Sequence, residues 1–215
     1  YSLFWEGNWA LGKSTIGIHH IESSNEGRTL PLTTSEREFL KSKNFANLAS
    51  AMNDPEFVAL LPRPDRIMES TNTTYSAKYE VPLSNHFLVV GTEYQDSKLK
   101  DGVFGMEKGN SGEAKEYYQY AIYAEDNWNL IDPLTLTLGT RYNYHQDFGD
   151  NVSPRVYLTY SATDNWTLKG GVSTGYKAPK ATDLYDGIVG FGGQGAIPQI
   201  GNPDLKPEKS VNYEV

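Results

Sequence analysis

Between Pro133 and Gln146 the chain alternates strictly. Leu134, Leu136, Leu138, Tyr142 and Tyr144 share one face, with Thr140 its weak member, while Thr135, Thr137, Gly139, Arg141, Asn143 and His145 share the other. Period-two alternation of this kind predicts a strand with two unlike faces. The stretches that follow repeat it. Val156, Leu158 and Tyr160 oppose Arg155, Tyr157 and Thr159, and Trp166, Leu168 and Val172 oppose Thr167, Lys169 and Ser173. Upstream, Tyr118, Tyr120, Ile122 and Ala124 oppose Gln119, Tyr123 and Glu125. Leu88, Val90 and Tyr94 oppose Gly91, Glu93 and Gln95, and Tyr75, Ala77, Tyr79 and Val81 oppose Ser76, Lys78 and Glu80. The pattern predicts about nine strands, the first within 1–5 and the last within 209–215.

The breaks between these strands are of two kinds. Short polar turns are predicted at Glu6-Gly7-Asn8, near Pro82 to Asn85, near Asn129 to Asp132, and at Thr163-Asp164-Asn165. Mostly longer connections alternate with them, over 24–69, 99–114, 147–152 and 179–208. Tight turns at one end and long loops at the other characterise outer-membrane barrels. A soluble sandwich also alternates, and stays open as an alternative. The less apolar face, however, carries Lys78, Glu93, Arg141 and Lys169, which make a costly dry core. A wet lumen on that side and lipid on the Leu/Tyr side removes the conflict. The predicted fold class is therefore all-β, with residues 1–215 forming part of one transmembrane β-barrel. An open sheet edge is prohibitive in lipid, so a larger closed barrel is expected. The first long loop has helical character: Ser35 and Glu38 form a capping-box pattern, and Phe45, Leu48, Ala49 and Met52 keep helical spacing. Asp54-Pro55 marks a further short helix over 56–61. Such a loop serves either as a packed lid or in gripping a ligand.

Composition narrows the choices further. Aromatic residues make up 13% of the 215 residues, and 15 are tyrosine, a bias that suits pleated, half-buried surfaces. The net charge of −8 argues against a nucleic-acid partner. With no cysteine, disulfides, thiolate metal sites and cysteine nucleophiles are excluded. No apolar run is long enough for a membrane helix, and no signal peptide is visible at Tyr1, yet neither bears on a β-barrel. Ser153, His145 and Asp147 lie close in sequence without marking an activated nucleophile, so no catalytic residue is assigned. Asp147, Asp150 and Asn151 could hold calcium, but their spacing fits a plain Asx turn better, and no protein metal site is assigned.

The final third carries a recognisable pair, "GYKAP" from Gly175 to Pro179 and "GNPDLKPEKSVNYE" from Gly201. With "AEDNW", "LTLTLGTRYNYH" and "SPRVYLTYSATDNWTLKGGVSTGYKAP" before it, the chain resembles a TonB-dependent outer-membrane receptor. The resemblance implies a barrel of about 22 strands, integral to the bacterial outer membrane and closed by a plug domain that is not in these residues. It also implies the TonB complex as energy source, lipid around the wall, and colicins and phage as further partners. Read as chemistry, Gly175, Pro179, Gly201, Asn202, Pro203, Leu205, Pro207 and Glu208 shape where the last loop leaves and rejoins the sheet. The glycines at 190, 192, 193 and 195 lack the context of a phosphate loop and predict flexibility.

Within the family, "GQGAIPQIGNPDLKPE" is similar to the catecholate siderophore group, which includes the colicin I receptor and enterobactin receptors. The resemblance implies a ferric catecholate as transported ligand, with its iron held by the siderophore and no covalently bound cofactor. An anionic, aromatic iron chelate calls for cations beside rings. The candidates on the outer loops are Arg37, Arg63 and Arg66 with Tyr185, Phe191 and Gln194; the bland alternative pairs the arginines with Glu36, Asp65 or Glu69. Haem is the rival ligand, but haem receptors place a histidine between the two motif halves, and 175–215 holds none. A passive porin and a soluble β-rich binding domain are the readings from other classes.

Overall fold

The computed structural model describes residues 1–193 and 197–215. Nine strands form one antiparallel sheet: β1 (Ser2–Trp9), β2 (Gly12–Thr29), β3 (Asp65–Leu83), β4 (His86–Asp101), β5 (Ala114–Ile131), β6 (Leu134–His145), β7 (Gly149–Thr163), β8 (Trp166–Lys177) and β11 (Glu208–Glu214). They follow one another as a meander, except that the connection from β8 to β11 contains a small hairpin of β9 (Ile188–Gly192) and β10 (Ile197–Ile200).

The register puts the sequence-predicted faces where expected. Tyr75 lies opposite Tyr94, Tyr94 opposite Tyr120, and Tyr120 opposite Tyr144. Their rings build a band near the loop end of the sheet, with Tyr94–Tyr118 centroids 6.1 Å apart and Tyr120–Tyr144 centroids 5.1 Å apart. Below it, Leu136 and Leu138 meet Leu158 and Val156, and Val156 meets Val172. Most of these side chains stay open, Leu138 being 40% and Leu168 60% exposed. Among the described residues the buried apolar side chains are Ala51, Val103, Phe104, Met106, Ala121 and Leu184, and all but Ala121 lie in the connections between strands of the large sheet. The sheet has no dry core of its own. Its apolar face needs an apolar solvent, and lipid is one that also tolerates a fully paired backbone. The opposite face is hydrogen-bonded through polar side chains: Gln119 donates to Gln95 at 2.8 Å and Ser97 to Asn72 at 2.8 Å.

Several boundaries depart from the sequence expectation. The first turn is at Ala10-Leu11, not at Glu6-Gly7-Asn8, which run inside β1. Lys13 pairs with Glu6 at 2.9 Å across the hairpin, so the strand continues through those polar residues. Gly12 closes the turn at φ 131°, where a Cβ would stand 2.2 Å from the Glu80 carbonyl oxygen. β2 and β3 stay paired as far as Thr29 and Asp65, past the expected ends at Ser24 and Glu69. The β6–β7 connection shrinks to residues 146–148 because Gly149, at φ 71°, turns the chain at once. The glycine-rich stretch is partly ordered as the β9–β10 hairpin, whose backbone bonds hold Gly190 and Gly192 against Gln199 and Ile197.

The long loop folds into α1 (Thr34–Lys43), α2 (Leu48–Met52) and α3 (Pro55–Val58). The capping box of α1 is Thr33 with Glu36, not Ser35 with Glu38: Glu36 N–H donates to Thr33 Oγ1 at 3.2 Å and Thr33 N–H to Glu36 Oε2 at 2.7 Å. Glu107, from the β4–β5 loop, accepts from Thr34 N–H at 3.0 Å and so selects this start. Asp54 caps α3 through Glu56 and Phe57 N–H, with Pro55 at the first position as its sequence suggests.

Candidate functional site

Three connections meet at the loop end of the sheet: 30–64, 102–113 and 178–207. Their shared core is Val103, Phe104 and Met106, packed by Leu30, Leu99, Tyr185, Val189 and Phe191. The segment 101–106 can fold so tightly because Gly105 sits at φ 75°, with Asn110 carbonyl oxygen 2.4 Å from where a Cβ would lie. Phe104 is fully buried, and the Tyr185 ring stacks on it at 4.2 Å and 13°. The Tyr185 hydroxyl donates to Glu113 Oε2 at 2.5 Å. Burial, and then this carboxylate, push the phenol up to about 12, so it remains protonated.

The loop arginines divide by partner. Arg66 makes two bonds of 2.7 Å to Asp101, whose Oδ1 also accepts from Val103 N–H at 3.1 Å. Arg63 donates to the Leu30 and Pro31 carbonyls at 3.2 and 2.8 Å and to Glu36 at 2.9 Å, which ties α1 to the segment before β3. Arg37 donates through Nε to the Leu32 carbonyl at 3.0 Å, and its guanidinium carbon stands 4.6 Å from the Phe191 ring centre. The structure thus unites Arg37 with Phe191, and Tyr185 with the same core, while Arg63 and Arg66 act as clips between loops. Gln194 lies outside the described residues. Phe104, Asp101 and Glu113, which anchor the cluster, were not singled out from sequence; Val103-Phe104 between two glycines was the available signal.

Burial alone would raise the Glu36 carboxyl, but Arg63 and the Thr33 N–H more than offset it and hold it below its ordinary value. A depressed carboxylate contributes stability above its unfolded value of about 4.3, and that contribution is lost as pH falls through the folded value. Amide protection across α1 is therefore expected to hold from pH 7 to about 5 and to drop below about 4. Hydrogen exchange by mass spectrometry checks this, and Glu36→Gln is expected to flatten the profile. An unchanged profile in that variant would remove Glu36 as the cause.

The motif residues serve the last loop. Gly201 N–H bonds the Gly187 carbonyl at 2.9 Å, and a Cβ there would lie 2.2 Å from the Tyr185 carbonyl oxygen. Asn202 N–H reaches the Asp183 carbonyl at 2.7 Å, and Asn202 Oδ1 accepts from Asp204 N–H at 2.9 Å. Pro203, Leu205 and Pro207 border a cleft of about 430 Å³ against Asp147, Phe148 and Tyr176. Pro179 follows the end of β8, and Glu208 restarts the sheet opposite Lys177, with Gly175 opposite Ser210. Below the cluster a cavity of about 300 Å³ runs along the inner wall beside Gln95, Gln119, Asn143 and His145. There Arg141 bonds Glu93 at 2.5 Å, and deeper Arg155 pairs with Glu125. The sequence neighbours Ser153, His145 and Asp147 part company: Ser153 accepts from Asn151, His145 Nδ1 accepts from Asp147 N–H, and the Asp147 carboxylate faces Lys115.

Comparison with known proteins gives this architecture a family. Residues 6–215 match the model described as TonB dependent receptor-like, beta-barrel. An iron-regulated outer membrane virulence protein of Vibrio cholerae is 36% identical over 150 residues, covering 70% of this chain and 22% of that protein. A ferric enterobactin receptor of Pseudomonas aeruginosa is 33% identical over 242 residues, covering 100% of this chain and 29% of the relative. Among solved structures, the siderophore receptor PirA from Acinetobacter baumannii superposes with a TM-score of 0.69 at 25% identity, over 99% of this chain and 31% of that one. The chain thus spans under a third of the length of these relatives. Nine lipid-facing antiparallel strands, tight turns at one end and a packed loop cluster at the other make it a segment of an outer-membrane barrel, and it belongs to the TonB-dependent receptor β-barrel family.

Proposed function

We propose that this chain supplies wall and surface loops of a receptor that captures a ferric catecholate siderophore and imports it with energy relayed by the TonB complex. The observation that carries the reading is the Arg37 guanidinium seated over the Phe191 ring at 4.6 Å, in the loop cluster above the polar wall. A cation on an aromatic face, both half-buried, is chemistry suited to a polyanionic aromatic chelate. Relatives named as enterobactin receptors in Pseudomonas aeruginosa and Escherichia coli support the same ligand class. In this reading the siderophore brings its own iron ligands, so the protein contributes charge and stacking rather than coordination. Catalysis has no part in it. Tyr185, protonated and bonded to Glu113, supports the ligand loop from beneath.

A titration of the full-length receptor in detergent, followed by tryptophan fluorescence, tests this. Ferric tris-catecholate is expected to bind tightly, and ferric hydroxamate and haem weakly. Arg37→Ala is expected to weaken the catecholate about tenfold. Preferred binding of haem or hydroxamate overturns the ligand class, and unchanged affinity in Arg37→Ala removes the Arg37–Phe191 pair from the site.

A further inference from the structure

Near the tight-turn end, the lipid side of the sheet carries a carboxylate among apolar neighbours. Asp126 continues the outward row Tyr118, Tyr120, Ile122, Ala124 on β5, and its cross-strand neighbours are Leu88 and Leu138. His86, the first residue of β4, places Nδ1 2.7 Å from Asp126 Oδ2, and its ring stacks on Trp128 with centroids 5.1 Å apart. The three residues lie toward the tight-turn end, at the level of the inner aromatic girdle. Asp126 Oδ1 and Trp128 Nε1–H have no hydrogen-bond partner among the described residues. The first is an acceptor with negative charge and the second a donor. Hydrocarbon satisfies neither.

We propose that the group is a headgroup site for an inner-leaflet phospholipid that bears a primary ammonium and a phosphate. The ammonium donates to the Asp126 carboxylate, and the Trp128 indole donates to a phosphate oxygen. Asp126 and His86 are 25% and 33% exposed, so the pair is open to the lipid side. The two unpartnered atoms are themselves covered, so full engagement requires the side chains around them to move. An ethanolamine headgroup supplies both functions. Choline keeps the charge but has no N–H to donate, and glycerol has no cation. The occupant is taken as lipid rather than protein because the site sits in the girdle and is complementary in charge to a zwitterionic headgroup.

Native mass spectrometry of the full-length receptor, titrated with phosphatidylethanolamine, phosphatidylcholine and phosphatidylglycerol of matched acyl chains, tests the site. Ethanolamine lipid is expected to be retained about fivefold over either competitor. Asp126→Asn is expected to bring the three within twofold. Trp128→Phe is expected to lower the retention of all three while leaving their ranking intact. A heat-modifiable shift on gels verifies that each variant barrel is folded, and the Trp128 variant carries the test if the Asp126 variant is not. Equal retention of the three lipids by the unaltered receptor overturns the proposal, as does an ethanolamine preference that survives in folded Asp126→Asn.

Discussion

Arg66→Ala is expected to loosen the loop cluster while the barrel stays folded. The Arg66 and Asp101 side chains are 14% and 5% exposed, and two bonds of 2.7 Å join them in a fork. Removing the guanidinium leaves a carboxylate buried against Val103 and Phe104 with a single backbone donor, Val103 N–H. Breaking one side of a buried pair costs about 3–5 kcal/mol, more than the net worth of the pair itself. The loss falls on the segment 102–113, because β3 and β4 keep their ladder up to Met68 and Asp101. Amide exchange across that segment should rise at least a hundredfold, with the heat-modifiable gel shift of the barrel retained. Arg66→Lys should recover only part of the protection, since an ammonium cannot match the bidentate geometry. The double variant Arg66→Met/Asp101→Leu should be milder than Arg66→Ala, because it leaves no unpaired charge. Equal exchange in Arg66→Ala and the parent would show that the pair does not hold the loop.

The sheet was legible in the sequence because the pleat enforces period two wherever the two faces meet different solvents. Lys78, Glu93 and Arg141 on one side and Tyr75, Tyr94 and Tyr142 on the other define the register without any tertiary knowledge. The first turn was not legible for a physical reason. Both Glu6-Gly7-Asn8 and Ala10-Leu11-Gly12 can turn, and the choice falls to pairing across the hairpin, with Lys13 on Glu6 and Trp9 Nε1 on Ser14. The loop site was legible only as a set of residue types. Its partners are distant in sequence: Asp101 lies 35 residues from Arg66, and Glu113 lies 72 from Tyr185. The nearby carboxylate Glu69 goes instead to Lys100, on the neighbouring strand. Arginines chosen for a ligand therefore include two that the fold uses to join its loops, and only the packing separates them from Arg37.

The second large effect is expected from Phe104→Ala. Phe104 is fully buried, stacked under Tyr185 in the cluster that also packs Val189 and Phe191. Truncating a buried phenylalanine costs about 3–5 kcal/mol, set by how far the surroundings collapse into the cavity. Here the floor beneath is the rigid turn at Gly105, where a Cβ has no room, so little collapse is available. The lost contacts free the Tyr185 ring and, through Val189, the β9–β10 hairpin that carries Phe191. Thermal unfolding of the barrel should be unchanged, because Phe104 makes no part of the nine-stranded sheet. Affinity for ferric tris-catecholate should fall by at least tenfold, although Phe104 would not touch the ligand: Arg37 retains its charge but loses the positioned ring beneath it. Phe104→Leu should keep most of the affinity, since it refills much of the volume with apolar atoms. The ratio of the two variants isolates positioning from charge. If Phe104→Ala binds as the parent does while hydrogen exchange shows the hairpin loosened, capture does not require the ordered Arg37–Phe191 pair, and the ligand engages the loops by charge alone.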